Sequence, residues 1–173
     1  GVPRKPFKGI EDYIHTISNF RPVYVRRNGK PIILEKYRTF EEYYKIGRAV
    51  GLDIEGREVS FIPEKSDIEL HNSCYWYNAR ISRYYTIENR VNDQQPPDEL
   101  ISISALTLGL ISALSEAIKE ISEYDWEMLR RTRESACRHG LFGRADDIRL
   151  SKLALRILII ARQGLLQRGL GEE

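Results

Sequence analysis

Apolar and polar side chains alternate with a two-residue period in two stretches near the middle of the chain. In residues 85–93, Thr86, Glu88, Arg90 and Asn92 fall on one face, and Tyr85, Ile87, Asn89 and Val91 on the other. In residues 73–80, Cys74, Trp76, Asn78 and Arg80 alternate with Ser73, Tyr75, Tyr77 and Ala79. A period of two predicts β-strands. The short link 81–84 between them predicts antiparallel neighbours.

The flanks follow other periods. Ile10, Tyr13, Ile14 and Ile17 have the spacing of an amphipathic helix over 9–20, closed by Pro22. Residues 22–26 and 31–35 flank Asn28-Gly29, a tight-turn dipeptide, and predict a hairpin. Thr39 with Glu42 has the form of a capping box for a helix to about Arg48, ended by Gly47 and Gly51. Residues 52–65 read as a loop with one short strand, 57–61. Ser66 is placed to cap a short turn, 67–70, with acidic side chains at its positive end.

After Pro96-Pro97, Asp98 is placed to cap a helix whose apolar residues run nearly all round as far as Leu114, the pattern of a buried helix. From Ser115 onward it becomes amphipathic. Asp125 opens a charged helix to about His139, with Gly140 as its stop, and 141–145 read as a loop. A long helix is expected over 146–166. Its Arg149, Lys152, Arg156 and Arg162 read as a solvated basic face. The expected class is α+β: an antiparallel sheet with helices, made of the hairpin 22–35, the central strands 73–93 and a helical part 98–170.

Length and charge narrow the partners. The 173 residues suffice for one sizeable core. A net charge of +2, from 27 basic and 25 acidic residues, gives no electrostatic reason to expect nucleic acid or a membrane surface. The N-terminus has no apolar signal-like run, and the apolar run 153–161 is too short to span a bilayer. Cys74 and Cys137 match no metal-ligand spacing and read as reduced thiols of a cytoplasmic protein. The chain opens at Gly1 rather than Met and stops at Glu173 just after a helical stretch, as a fragment would.

The chemistry concentrates on the strand pair. Glu88 and Arg90, two apart, lie roughly 7 Å from each other and point the same way. That is too wide for a bidentate ion pair, yet suited to a group carrying both charges, such as a metal–phosphate. A solvated sheet face is the default for such a pair. Asn78, Arg80, Glu88 and Arg90 are the one concentrated polar feature on predicted strands. His71 reads as a hydrogen-bonded structural histidine, and Trp76 and the tyrosines as packing. No nucleophile–base pair and no glycine-rich phosphate loop is present.

The order of these elements, with WYNARISRYYTIENRVND at 76–93 and ILIIARQGLLQRGLGEE at 157–173, resembles the C-terminal part of the glutamate–cysteine ligase family. It resembles the plant and bacterial type, and within it the carboxylate–amine ligase branch. The family motif, an upstream Arg followed by [Tyr/Thr]-[Ile/Leu]-Glu-x-Arg-x-x-Asp, is matched by Arg80, Thr86, Ile87, Glu88, Arg90 and Asp93. The longer spacing from Arg80 to Glu88 is closer to the carboxylate–amine ligase branch.

The resemblance implies a glutamine-synthetase-like catalytic fold. In that fold an antiparallel sheet holds ATP and Mg²⁺, and the glutamate γ-carboxyl is phosphorylated before an amine, most often cysteine, attacks it. It implies Glu88 as a Mg²⁺ ligand and Arg90 as the catalytic contact to the phosphoryl or γ-carboxylate. Arg80 would be a substrate or phosphate contact, or equally a structural partner of Asp93. The family's other metal-binding glutamates belong to an N-terminal half that this chain lacks. The chain is therefore expected to be inactive without that half or a partner chain. Two alternatives stay open: a non-catalytic binding or scaffold domain on the same fold, and a γ-glutamyl ligase for another amine.

Overall fold

The computed structural model describes residues 2–173 and divides the chain into two compact units, with the boundary between Arg90 and Val91. Among the described residues it is α+β, with seven α-helices and small antiparallel sheets.

The first unit begins with α1 (Ile10–Ser18), which buries Tyr13 and Ile17. The hairpin follows as β1 (Tyr24–Arg27) and β2 (Lys30–Ile33), with Arg27 opposite Lys30. Asn28 and Gly29 both take positive φ, 52° and 76°, the mirror-image turn whose twist matches the strands. Thr39 caps α2 (Phe40–Lys45) by accepting the Glu42 N–H at 3.0 Å, while Glu42 reaches back one residue further than expected, to the Arg38 N–H. Gly47, at φ +75°, turns the chain after this helix.

Two strands then complete a four-stranded sheet of order β1-β2-β3-β4: β3 (Ala49–Leu52) and β4 (Glu58–Phe61). β3 is not expected from the sequence, where Gly51 reads as a helix stop. Gly51 is instead a close-contact residue within the sheet. A Cβ there would lie 2.5 Å from Ile32 Cγ2 and 2.7 Å from the Ile33 carbonyl oxygen. The core joins Val25, Ile32, Leu34, Tyr37, Phe40, Tyr43, Ala49 and Phe61.

The helix after β4 corrects the sequence reading most. Residues 65–74 form a single helix, α3 (Lys65–Cys74), so Ser73 and Cys74 are its last turn and not the start of a strand. Its first turn is closed by Asp67, whose carboxylate accepts the Glu64 N–H at 2.8 Å. The same carboxylate, 2% exposed, takes two hydrogen bonds from Arg27, at 2.8 and 2.7 Å, and one from the Tyr43 hydroxyl at 2.6 Å. Arg27 also donates to the Ile62 carbonyl at 2.8 Å and lies over the Phe61 ring. The Arg27–Asp67 pair thus ties β1, α2, the segment that follows β4 and α3 together. Burial pushes the Asp67 pKa up, but the Arg27, Tyr43 and Glu64 hydrogen bonds outweigh it and hold the carboxyl below its usual range.

The second unit is helical. After a 3₁₀ turn, Pro97–Glu99, come α4 (Leu100–Ser112) and α5 (Leu114–Ser122), which meet at 83°. The expected continuous helix breaks at Ala113. That residue is buried beside the place where α4 crosses α7 (Leu150–Arg168). The crossing is a backbone contact. A Cβ on Gly109 would stand 2.2 Å from the Ala161 carbonyl oxygen, and one on Gly164 2.0 Å from the Gly109 oxygen and 3.1 Å from Ala113 Cβ. α4 is not wrapped on all sides as expected, for Leu100, Ile101 and Ile111 are exposed.

Asp125 caps α6 (Trp126–His139) through the N–H groups of Glu127 and Met128. The stretch expected as a loop carries β7 (Arg144–Ala145), paired with β8 (Ile148–Arg149) just before α7. The basic residues expected to be solvated, Arg149, Lys152, Arg156 and Arg162, are exposed, and Arg156 in addition grips the buried Glu120 of α5 at 2.8 Å and Glu123 at 3.3 Å. No single helix among the described residues is long and apolar enough to cross a membrane.

Asp67→Asn is expected to destabilise the first unit by about 2–4 kcal/mol, because it leaves the largely buried Arg27 with only the exposed Glu64, 3.3 Å away, as an anionic partner; urea denaturation measures this. The depressed Asp67 pKa gives a stabilisation that is full above the unfolded value of about 3.9 and lost as pH falls through the lower folded value. Acid denaturation of Asp67→Asn should therefore show a shallower dependence on pH. At the helix crossing, Gly109→Ala should cost about 1–3 kcal/mol, since the obstacle is main chain rather than a movable side chain.

Candidate functional site

The strand pair that carries the candidate residues is shorter than its sequence pattern. It consists of β5 (Ala79–Ile81) and β6 (Ile87–Asn89), antiparallel, with Arg80 directly opposite Glu88. One further main-chain bond, from the Arg90 N–H to the Asn78 carbonyl at 2.8 Å, continues the ladder. The connection is fixed by local bonds. Ser82 N–H donates to Thr86 O at 2.8 Å, the two hydroxyls lie 2.8 Å apart, and Tyr85 takes a positive φ of 59°.

The first unit also joins the hairpin to α3. Arg80 Nε donates to Glu88 Oε2 at 2.7 Å, and its Nη1 donates to the carbonyl oxygens of Ser73 (3.1 Å) and Asn72 (3.5 Å) in the last turn of α3. A guanidinium there satisfies carbonyls that have no partner within the helix and lies at its negative end. Asn72 in turn donates to the Ile81 carbonyl at 2.7 Å and accepts from the Tyr13 hydroxyl at 2.6 Å. The carboxylate that Arg80 pairs with is Glu88. Asp93, the other partner the sequence offered, lies beyond the boundary of this unit.

Arg90 is differently placed. Its guanidinium lies 5.9 Å from the centre of the Trp76 ring, and Nη1 approaches Glu88 Oε1 only to 3.9 Å. The guanidinium is 30% exposed and makes no bidentate pair with Glu88. Trp76, expected to be packing, is exposed and forms the platform for this arginine. Glu88 therefore sits between two guanidiniums, in a cluster with one net positive charge. The hydrogen bond from Arg80, with the charges of Arg80 and Arg90, holds its carboxyl below the usual range. Such a cluster suits a phosphoryl or carboxylate group.

The fit to Mg²⁺ is incomplete. Among the described residues no three His, Cys, Asp or Glu side chains come together. Glu88 supplies a single hard oxygen donor, with one oxygen already bonded to Arg80. These residues alone do not make a site of the six oxygen ligands that Mg²⁺ requires.

His71 has the structural role the sequence suggests. It is 4% exposed, stacks on Phe40 with ring centres 4.0 Å apart, and has Nε2 2.8 Å from the Ile17 carbonyl. Nε2 therefore carries the proton, and buried Nδ1 has no hydrogen-bond partner among the described residues. Burial pushes this imidazole's pKa down, in favour of the neutral form. Cys74 is half-buried, Cys137 is exposed, and both are free thiols.

No family model, no curated protein and no solved structure matches the chain.

Arg80→Gln should raise the Glu88 carboxyl pKa toward its ordinary value of about 4.3, because the hydrogen bond that depresses it is gone. Carboxyl ¹³C titration by NMR reads the shift. An unchanged Glu88 titration would mean that the pair does not persist in solution.

Proposed function

We propose that the chain forms part of the catalytic site of an ATP-dependent ligase that joins the glutamate γ-carboxyl to an amine, cysteine first among them, through a γ-glutamyl phosphate. One observation supports this above the others. Three of the four charged residues of the family-like motif, Arg80, Glu88 and Arg90, meet on one strand pair, with the Arg90 guanidinium partly exposed. In this reading β5 and β6 belong to a glutamine-synthetase-like sheet that continues in an N-terminal half or a partner chain. Two three-residue strands with unpaired edges are suited to such an extension.

The chemistry would run in two displacements. A γ-carboxylate oxygen attacks the terminal phosphorus of ATP and ADP departs. The amine then attacks the acyl carbon, phosphate departs, and the amine gives up a proton. Arg90 acts in the first displacement, placing a fixed positive charge where negative charge is shared among phosphoryl oxygens. Arg80 orients Glu88 and fastens the hairpin to α3. Glu88 is the candidate Mg²⁺ ligand of this site, together with carboxylates from outside the described residues. The acceptor amine is read from no residue of the chain, so a γ-glutamyl ligase for a different amine rests on the same cluster.

A second reading, a non-catalytic binding or scaffold domain, is favoured by the Arg80–Glu88 bond itself, which gives Glu88 a structural role. The intact protein that carries this chain separates the two when supplied with ATP, Mg²⁺, glutamate and cysteine. ADP release dependent on glutamate and an amine is expected, and its absence with every amine tried would end the ligase reading. Arg90→Gln should lower kcat by about 10²–10³-fold, the effect of losing one charge-stabilising donor. Glu88→Gln should abolish turnover with an unchanged circular-dichroism spectrum, whereas a full-speed variant would remove Glu88 from the metal site.

A further inference from the structure

The second unit contains a cleft that the ligase reading does not use. The face of α6 bearing Arg131, Glu134, Ser135 and Arg138 looks onto the β7–β8 hairpin, where Arg144 and Asp146 complete the lining of an open cleft of about 340 Å³. The spacing i, i+3, i+4, i+7 puts these four side chains on one side of the helix. The hairpin is held against that side at short range. Ser135 Oγ accepts the Arg144 main-chain N–H at 2.9 Å, and a Cβ on the buried Gly143 would lie 2.9 Å from Ser135 Oγ and 3.0 Å from the Ser135 carbonyl oxygen.

Its charges are unevenly matched. Arg131 is paired with Asp146 at 2.7 Å. Arg138 and Arg144 have no ion-pair partner among the described residues, and Glu134 is the one other carboxylate on the cleft. A second, independent feature adds to the imbalance. Arg144 lies directly opposite Arg149 in the β7–β8 register. Like charges facing each other across a strand pair destabilise it, and an anion bound to Arg144 lessens that repulsion although Arg149 itself does not line the cleft.

We propose that this cleft binds a phosphoryl-bearing small molecule, gripped by the Arg138 and Arg144 guanidiniums with the Ser135 hydroxyl as a further donor. Three properties select this ligand. Guanidinium forks match phosphoryl oxygens in pairs. A dianion offsets the two arginines of one lining more fully than a single carboxylate does. The volume is at the lower end of small-molecule sites, and the carboxylates of Glu134 and Asp146 oppose an extended polyanion such as nucleic acid. The site stands apart from the ligase reading, since it uses no residue of the first unit.

The test is calorimetric titration of the intact protein with inorganic phosphate and with pyrophosphate, against chloride at matched ionic strength. It is carried out in an Arg90→Gln background, so that anions held by the first unit's cluster do not contribute. Saturable binding is expected, tighter for pyrophosphate, weakened by about tenfold or more in R138Q/R144Q and strengthened in E134Q. The double variant should keep its circular-dichroism spectrum and lose no thermal stability, because Arg144→Gln also relieves the repulsion from Arg149. If the double variant fails to fold, R138Q alone, on an exposed helix position, carries the test with a loss of at least about threefold. Binding that R138Q leaves unchanged, no saturable binding above chloride, or binding of oligonucleotide without pyrophosphate would each overturn the proposal.

Discussion

The bidentate bond between Arg27 and Asp67 is the constraint on which the first unit depends. Asp67 is far from Arg27 in sequence, and it belongs to the helix that must pack against the hairpin and α2. Burying that carboxylate is unfavourable unless all its bonds are made at once. The fold therefore cannot place β1, α2 and α3 independently of one another. The Tyr43 hydroxyl and the Glu64 N–H complete the set, and the Phe61 ring covers the guanidinium. Its influence reaches the candidate site through α3. The far end of that helix presents the Asn72 and Ser73 carbonyls to Arg80, and Arg80 presents Glu88. A polar bond deep in one part of the unit thus sets where a charged cluster stands on its surface.

Much of this architecture is legible from local pattern. Asn28-Gly29 specifies the hairpin turn, and Thr39 and Asp125 mark the starts of two helices with bonds of the anticipated kind. The failures share a physical cause: tertiary contact overrode a local signal. Gly51 reads as a helix stop, but its lack of a Cβ serves a close approach to β2. The alternation at 73–80 suggests a strand, yet Asn72 and Ser73 are held in the last turn of α3 by bonds to Tyr13, Ile81 and Arg80. The apolar run after Leu100 predicts one continuous buried helix, where the crossing with α7 accompanies a sharp bend at Ala113.

The candidate site was legible in a different way. Periodicity brings Glu88 and Arg90 to one face and makes their strand a neighbour of the Arg80 strand. It does not give the register, and so does not reveal that Arg80 is opposite Glu88 and bonded to it. The role of Trp76 as a platform for Arg90 was invisible for the same reason, because it depends on the course of the chain after α3. The cleft on α6 was hidden in a stretch that reads as a charged helix followed by a loop. Its two-residue strands are too short to leave any periodic trace.

The crossing of α4 and α7 at Gly109 and Gly164 has a consequence for how the second unit tolerates change. Two helices touching through their main chains can neither slide nor rotate by one residue without driving a side chain into a carbonyl. Their alignment is thus encoded by missing atoms rather than by interlocking side chains. The large aliphatic residues on the outer surfaces of these helices are free to vary in shape without disturbing it. Substitution in this unit should therefore be restricted at two points and permissive around them, a distribution opposite to that of a core specified by the fit of its bulkiest members.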